Sequence, residues 1–275
     1  MMIFLSIGCT APSSNAVPTA VSTTPPETIT ATSTAAPPTA TPAPTASTTA
    51  SQARPAELPP PAPTSSPVDT EIPSSIVGIG ILGDSNSDEY RADDNRGGAY
   101  AAVTLNWVEQ LATSRGLNFG EWGTWDPPRR TGYAYNWALS GATARSMIRT
   151  GQHTGLAGQI AAGEVSHAVI YIGGNDFNTR KGAYRQIYDG SLSDAEVAAL
   201  VIEYVANVTT AVDTLSAAGD VQIIVVAPGD PGLGATISGR FSDPDGRQRV
   251  TDALNEVNER IRTLDENREN VTAVY

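Results

Sequence analysis

Ile76-Val77-Gly78-Ile79-Gly80-Ile81-Leu82-Gly83-Asp84-Ser85-Asn86-Ser87 is the stretch on which the reading of the chain turns. Its first seven residues carry no charge, and β-branched side chains stand at 76, 77, 79 and 81. Such a run suits a strand buried on both faces of a parallel sheet. It ends at Gly83-Asp84-Ser85, where glycine permits a sharp turn and a small hydroxyl follows the strand. In open α/β sheets ligands bind in the crevice at the carboxyl ends of the strands. Ser85 is therefore expected where a nucleophile is useful. The tripeptide alone is equally ordinary turn chemistry, so the rest of the chain has to decide.

Around this stretch the composition changes abruptly. Positions 10 to 75 are almost entirely Pro, Thr, Ala and Ser, hold 15 of the 20 prolines, and contain no aromatic residue. A segment so poor in apolar side chains cannot offset its chain entropy, and it is expected to be a disordered linker. Residues 76–275 are long enough for one domain with a substantial core. Formal net charge is −12, of which the linker accounts for four acids against Arg54, leaving the domain near −9. An acidic domain without a basic cluster argues against nucleic acid and anionic membrane surfaces as partners.

Met1 to Cys9 resembles the end of a truncated lipoprotein-type signal, with Cys9 as the acylated residue. A basic n-region and a longer apolar core are missing, and Ser6 stands where Leu is usual. The alternative is a short apolar leader with an incidental cysteine. Cys9 is the single cysteine, so no disulfide forms within the chain. Beyond it no stretch is expected to span a bilayer; membrane association is expected only through a lipid on Cys9.

Within the domain, apolar periodicity predicts a helix over 100–114 that stops at Gly116. A loop with Trp122 and Trp125 covering the core edge follows over 118–132, and then a short strand over 133–137. Two short helices are expected up to Thr150 and over 156–162, and a second buried strand over 168–172. That strand runs into Gly173-Gly174-Asn175-Asp176. Ser193 and Glu196 form a capping box, with Leu192 and Val197 as staple, for a helix lasting to Gly219. A third buried strand is expected over 221–227, a helix from Val250 to Leu264, and a further strand from Val271 to Tyr275. Alternating strands and helices imply an α/β domain: a three-layer sandwich around a mostly parallel, flavodoxin-like sheet. Ending on an apolar strand, the domain is expected to continue past Tyr275.

Three segments of this domain together resemble the SGNH (GDSL) hydrolases. Gly83-Asp84-Ser85 with Ser87 resembles the first block of that family, which carries the nucleophile. Asn136 to Gly141 resembles the second, whose glycine amide binds an oxyanion. Gly173-Gly174-Asn175-Asp176 resembles the third, whose asparagine is another oxyanion donor. They stand in the family's order and spacing. Asn86 replaces a frequent Leu. The fourth block, Asp-x-x-His, which supplies the base and its partner, does not occur up to Tyr275.

The resemblance implies a serine esterase working through an acyl-serine intermediate, without metal or cofactor. Ser85 would be the nucleophile, and the Ser85 N–H, Gly141 N–H and Asn175 amide the oxyanion donors. Asp84 and Asp176 are expected to brace their turns by hydrogen bonds. Neither His153, read as lying in a Gly-rich loop, nor His167, read as preceding the second strand, has an aspartate at triad-like spacing. The catalytic base and its acidic partner are left unassigned. Substrates would be small acyl, glycan or lipid esters, met outside the cytoplasm by a monomeric bacterial surface lipoprotein or secreted protein. A rival is a surface-tethered binding module of the same fold without catalysis. A phosphate-binding flavodoxin-like domain fits less well, since Asp84 and Asp88 would repel the ligand.

Overall fold

The structure, a computed structural model, describes residues 75–90, 98–100, 103–235 and 237–275. The leader, Cys9 and the linker up to position 74 lie outside the described residues. Four strands pair in parallel in the order β1-β4-β5-β6: β1 (Ile79–Gly83), β4 (His167–Tyr171), β5 (Gln222–Val226) and β6 (Val271–Val274). A fifth segment runs along the outer edge of β1. Ile81 N–H donates to Tyr135 O, Trp137 N–H to Ile81 O and Leu139 N–H to Gly83 O. The strand expected over 133–137 is thus partly an edge segment with one parallel bridge, Ile81 to Asn136.

β1 shows why its sequence reads as doubly buried. Leu82 points into the larger core with Ala168, Ile170, Ile223 and Val225 of the neighbouring strands. Ile79 and Ile81 point the other way, into a smaller core with Val108 and Phe119. The strand begins later than its apolar run, since Ile76 and Val77 are about half exposed (49% and 50%). The larger core is closed by α2 (Ala144–Arg149), α3 (Gln152–Ala161), α5 (Asp194–Ala218) and α6 (Pro244–Glu266), with the short α4 (Tyr184–Tyr188) beside α6. The opposite face is covered by α1 (Trp107–Arg115). The sandwich is therefore three-layered but lopsided.

Two expectations are corrected. The first helix starts at Trp107, not near 100, because Asn106 caps it: Glu109 N–H donates to Asn106 Oδ1 and Asn106 N–H to Glu109 carboxylate, each at 2.9 Å. Tyr100 and Val103, read as part of its apolar stripe, are exposed. The 118–132 loop contains an antiparallel hairpin, β2 (Trp122–Thr124) with β3 (Thr131–Tyr133). There the Arg129 guanidinium is stacked on the rings of Trp125 and Trp137, 4.8 and 4.3 Å from their centroids.

The long helix α5 begins at the expected capping box of Ser193 and Glu196. Its 25 residues are long and apolar enough to cross a membrane by length and composition, which the sequence reading had excluded. In the fold its apolar side packs inward through Val201, Tyr204, Val208, Val212 and Leu215.

Gly80 marks where α3 meets β1, since a Cβ there would stand 2.2 Å from Leu156 Cδ1. Gly80→Ala should destabilise the protein by about 1–3 kcal/mol through overpacking. Adding Leu156→Ala should cost less than the sum of the two single changes, because the second removes the clash made by the first. Urea unfolding of the three variants checks this, and strict additivity would refute the contact.

Candidate active site

The chain turns directly after β1. Ser87 N–H and Asp88 N–H donate to Asp84 O at 3.1 and 3.0 Å, and Ser85, half-buried, lies within that turn. Asp84 is fully buried, and its carboxylate has two jobs. Oδ1 accepts from Asn86 N–H at 2.9 Å, within the turn, and Oδ2 accepts from Gly174 N–H at 3.0 Å, beyond the end of β4. The neighbouring strand ends are thereby joined, and a side chain at 174 would meet the carboxylate, its Cβ only 2.9 Å from Oδ2.

The second segment is held to the first by side chains. Asn136 Nδ2 donates to Ser87 O at 2.8 Å, and Ser140 N–H donates to Asp88 Oδ2 at 2.7 Å. Gly141 follows in a left-handed conformation (φ +86°), which favours glycine. A Cβ there would touch nothing within 4 Å, and the Gly141 N–H has no acceptor among the described residues. From the third segment Asn175 Nδ2 donates to Ala142 O at 2.8 Å. Asp176 accepts Ala144 N–H through both carboxylate oxygens, at 3.2 and 3.1 Å. Desolvation lifts the Asp176 carboxyl to about 6; the Ala144 N–H pulls against this, and Asp84 adds to it.

Ser85, Gly141 and Asn175, predicted separately, thus stand on three segments bonded to one another at the carboxyl end of the sheet. Together they carry a hydroxyl, a backbone N–H with no acceptor among the described residues, and a side-chain amide. Asn175 and Asp176 also wall a cleft of about 580 Å³, with Arg145 and Lys181, Leu200 and Glu203 among its other lining residues. A smaller depression of about 260 Å³ lies over the strand ends, between Asn86, Tyr171, Gly174 and Pro228. Among the described residues no three His, Cys, Asp or Glu side chains are grouped to hold a metal ion.

Of the two histidines, His167 lies at the amino end of its strand as expected, and His153 does not lie where it was read. His167 is the first residue of β4, at the far end of the strand, with Nδ1 2.9 Å from Ser166 Oγ. His153 lies in the first turn of α3, not in a loop. It is buried, burial lowers its pKa, and Nδ1 has no hydrogen-bond partner. Among the described residues neither is joined to a carboxylate.

Sequence reasoning missed the supports of the turn. Asn106 Nδ2 donates to Ser87 O and Asp88 O at 3.0 and 2.9 Å, and Trp107 Nε1 donates to Ser87 Oγ at 3.1 Å. Arg130 pairs with Asp88 at 2.6 Å, and Gln152 Oε1 accepts Gly83 N–H at 3.3 Å. Asn106-x-x-Glu109 is a readable capping pattern; Gln152 and Arg130 carry no sequence signal.

The sequence profile of the family described as GDSL-like Lipase/Acylhydrolase matches residues 79–275. No curated protein matches the chain. Among solved structures, similarity extends to a psychrotrophic esterase from Pseudoalteromonas sp., at 16% identity over 72% of this chain and 76% of that one, with a TM-score of 0.37. An extracellular lipase from Streptomyces rimosus is 16% identical over 71% and 79% of the two chains, with a TM-score of 0.40. An acetylxylan esterase from Geobacillus stearothermophilus is 18% identical over 66% and 73%, with a TM-score of 0.31.

One more support makes a pH prediction. Glu89 is buried, accepts Tyr133 N–H at 2.9 Å, and lies so close to Gly132 that a Cβ there would come within 2.6 Å of its carboxylate. Desolvation raises its carboxyl to about 7, against the opposing pull of the Tyr133 N–H. With the folded value above the ordinary one near 4.5, the folded state holds the extra proton between those values. Its contribution to stability is therefore lost as pH rises through that window. Asp176 acts in the same sense. Stability should decline from pH 5 to 8, and Glu89→Gln should flatten the decline, gaining on the order of 1–3 kcal/mol over wild type at pH 8. Urea midpoints across that range measure it; an unchanged slope in the variant would show that Glu89 is not the group responsible.

Proposed function

We propose, from the premise that this chain belongs to the GDSL-like lipase/acylhydrolase family, that it hydrolyses esters through an acyl-serine intermediate on Ser85. The observation that carries this reading is the convergence of three segments: the Ser85 turn, the Gly141 turn and the Asn175 turn, joined by the Asp84–Gly174, Asn136–Ser87 and Asn175–Ala142 hydrogen bonds. Family members are hydrolases of the ester type, and these are the segments the family likeness singles out.

In the proposed reaction Ser85 Oγ adds to the ester carbonyl carbon while its proton passes to a base. The carbonyl oxygen becomes an oxyanion, which the Ser85 N–H, Gly141 N–H and the second Asn175 N–H receive. The alkoxide leaves with a proton, and water then attacks the acyl-serine by the same route, releasing the acid and restoring Ser85. A serine hydroxyl is a weak nucleophile without a base; the base is assigned to no residue. Fixed donors aimed at the oxyanion are worth roughly 3–4 kcal/mol each when deleted.

Small acyl, carbohydrate or lipid esters are the proposed substrates. The proposed setting is outside the cytoplasm, with Cys9 acylated and positions 10 to 75 as tether.

Fluorophosphonate labelling of the protein expressed from its full gene, with the adduct located by mass spectrometry, tests the nucleophile. The adduct should be on Ser85, and Ser85→Ala should remove both labelling and ester hydrolysis. Asn175→Ala should retain labelling but lower kcat by about 10²- to 10³-fold. An adduct elsewhere, or hydrolysis retained in Ser85→Ala, would overturn the assignment; a folded, unlabelled protein would favour a binding module.

A further inference from the structure

The two adjacent residues Asn175 and Asp176 grip a single three-residue span, Ala142 to Ala144, from both sides. Asn175 donates to Ala142 O at 2.8 Å, and Asp176 accepts from Ala144 N–H at 3.2 and 3.1 Å. The two bonds have opposite polarity, so a shift or flip of either segment breaks at least one of them. Gly141, whose N–H has no acceptor among the described residues, is the residue immediately before the gripped span. Between Gly141 and α2 stand Ala142 and Thr143, and Thr143 caps that helix. The 141–144 segment therefore has one firm attachment on its helical side and one on the side of Asn175.

We propose that Asp176 is a positioning residue that holds the Gly141 N–H and the Asn175 amide toward one point by gripping Ala144, a role that rests on the oxyanion assignment made above. The carboxylate acts through the backbone and touches no substrate atom. A charged acceptor holds an N–H more strongly than a neutral one. Protonating Asp176 weakens the grip while the rest of the fold stays in place.

The groups facing Asp176 are Asp84 from the turn after β1, Arg145 from α2, Lys181 from the wall of the shared cleft, and Glu203 and Tyr204 from α5. Arg145 is paired with Glu203 and also lies within electrostatic reach of Asp176. Desolvation, with smaller contributions from the like charges on Asp84 and Glu203, brings the titration of Asp176 to about 6 against the pull of the Ala144 N–H. Stability and positioning then respond to pH with opposite signs. Because the folded value lies above the ordinary 3.8, protonation favours the folded state. The same protonation loosens the grip on Ala144.

The test is a series of amide spectra of the ¹⁵N-labelled protein, expressed from its full gene as above, between pH 7.5 and 5, without substrate. The Ala144 amide proton should move with a midpoint near 6, as its acceptor loses charge, and the Gly141 amide should move with the same midpoint. Asp176→Asn should abolish both titrations, leave the melting temperature at pH 7.5 no lower than wild type, and lower kcat about tenfold with KM within about twofold. A Gly141 amide indifferent to pH, a titration that survives in Asp176→Asn, or an Asp176→Asn protein with wild-type kcat would overturn the proposal. Because the spectra need no turnover, a chain that hydrolyses no ester yet shows the paired titration refutes the esterase reading and leaves the grip standing.

Discussion

The site depends first on the bond between the Asp84 carboxylate and the Gly174 N–H. Two parallel strands, paired from Ile79 with His167 to Gly83 with Tyr171, must separate at their carboxyl ends. The peptide groups just beyond lose their ladder partners, and a buried N–H without an acceptor costs about as much as a lost hydrogen bond. Asp84 meets this by accepting across the gap and within its own turn at once. The two amide donors offset part of the cost of burying the charge. Glycine at 174 follows from the same contact, since a side chain there would displace the carboxylate.

Buried acids recur throughout the surroundings of Ser85. Asp84, Asp88, Glu89 and Glu109 are all nearly inaccessible, and each takes at least one backbone N–H: Gly174, Ser140, Tyr133 and Asn106 respectively. Asp88 also meets the Arg130 guanidinium. Part of the acidity that composition presents as a surface property is therefore interior scaffolding. Carboxylates suit this use because each offers up to four lone-pair sites to a backbone that has left regular pairing. The cost appears in Glu89 and Asp176, whose pKa values are raised chiefly by desolvation.

How much of this was readable follows from the range of each interaction. β1 announces itself because a doubly buried strand must be apolar throughout. β4 and β5 are apolar runs too, although only alternate residues of each are buried and Ile224 is exposed; α5 is legible because its capping box is local. Ser85, Gly141 and Asn175 are legible as segments because each directly follows, or lies beside, a strand end. The bonds that bring them together join positions 90, 49 and 33 residues apart, and nothing in the spacing reveals which side chain reaches which peptide. The start of α1 was misread for a nearer reason: Tyr100 and Val103 fit the helical period, but the Asn106 cap outweighs periodicity. The glycines that flank His153 at 151 and 155 make it read as a loop residue. Gly151 does stand just before α3, left-handed at φ +77°, whereas Gly155 lies within the helix where Trp137 leaves no room for a side chain.

The three segments form a closed ring of ties. Asp84 of the first holds Gly174 of the third, Asn175 and Asp176 of the third hold Ala142 and Ala144 of the second, and Asn136 of the second holds Ser87 of the first. In an open chain of contacts the last member inherits the slack of every earlier one. In a ring each segment is fixed from two sides, so the Gly141 and Asn175 turns are each tied to the Ser85 turn along two routes. Residues within one such network are also the ones whose effects couple. The sheet supplies the proximity, through strand pairing that closes long loops; the ring then converts proximity into orientation. That division accounts for why the apolar strands can be read as fold while the polar residues at their ends must be read together or not at all.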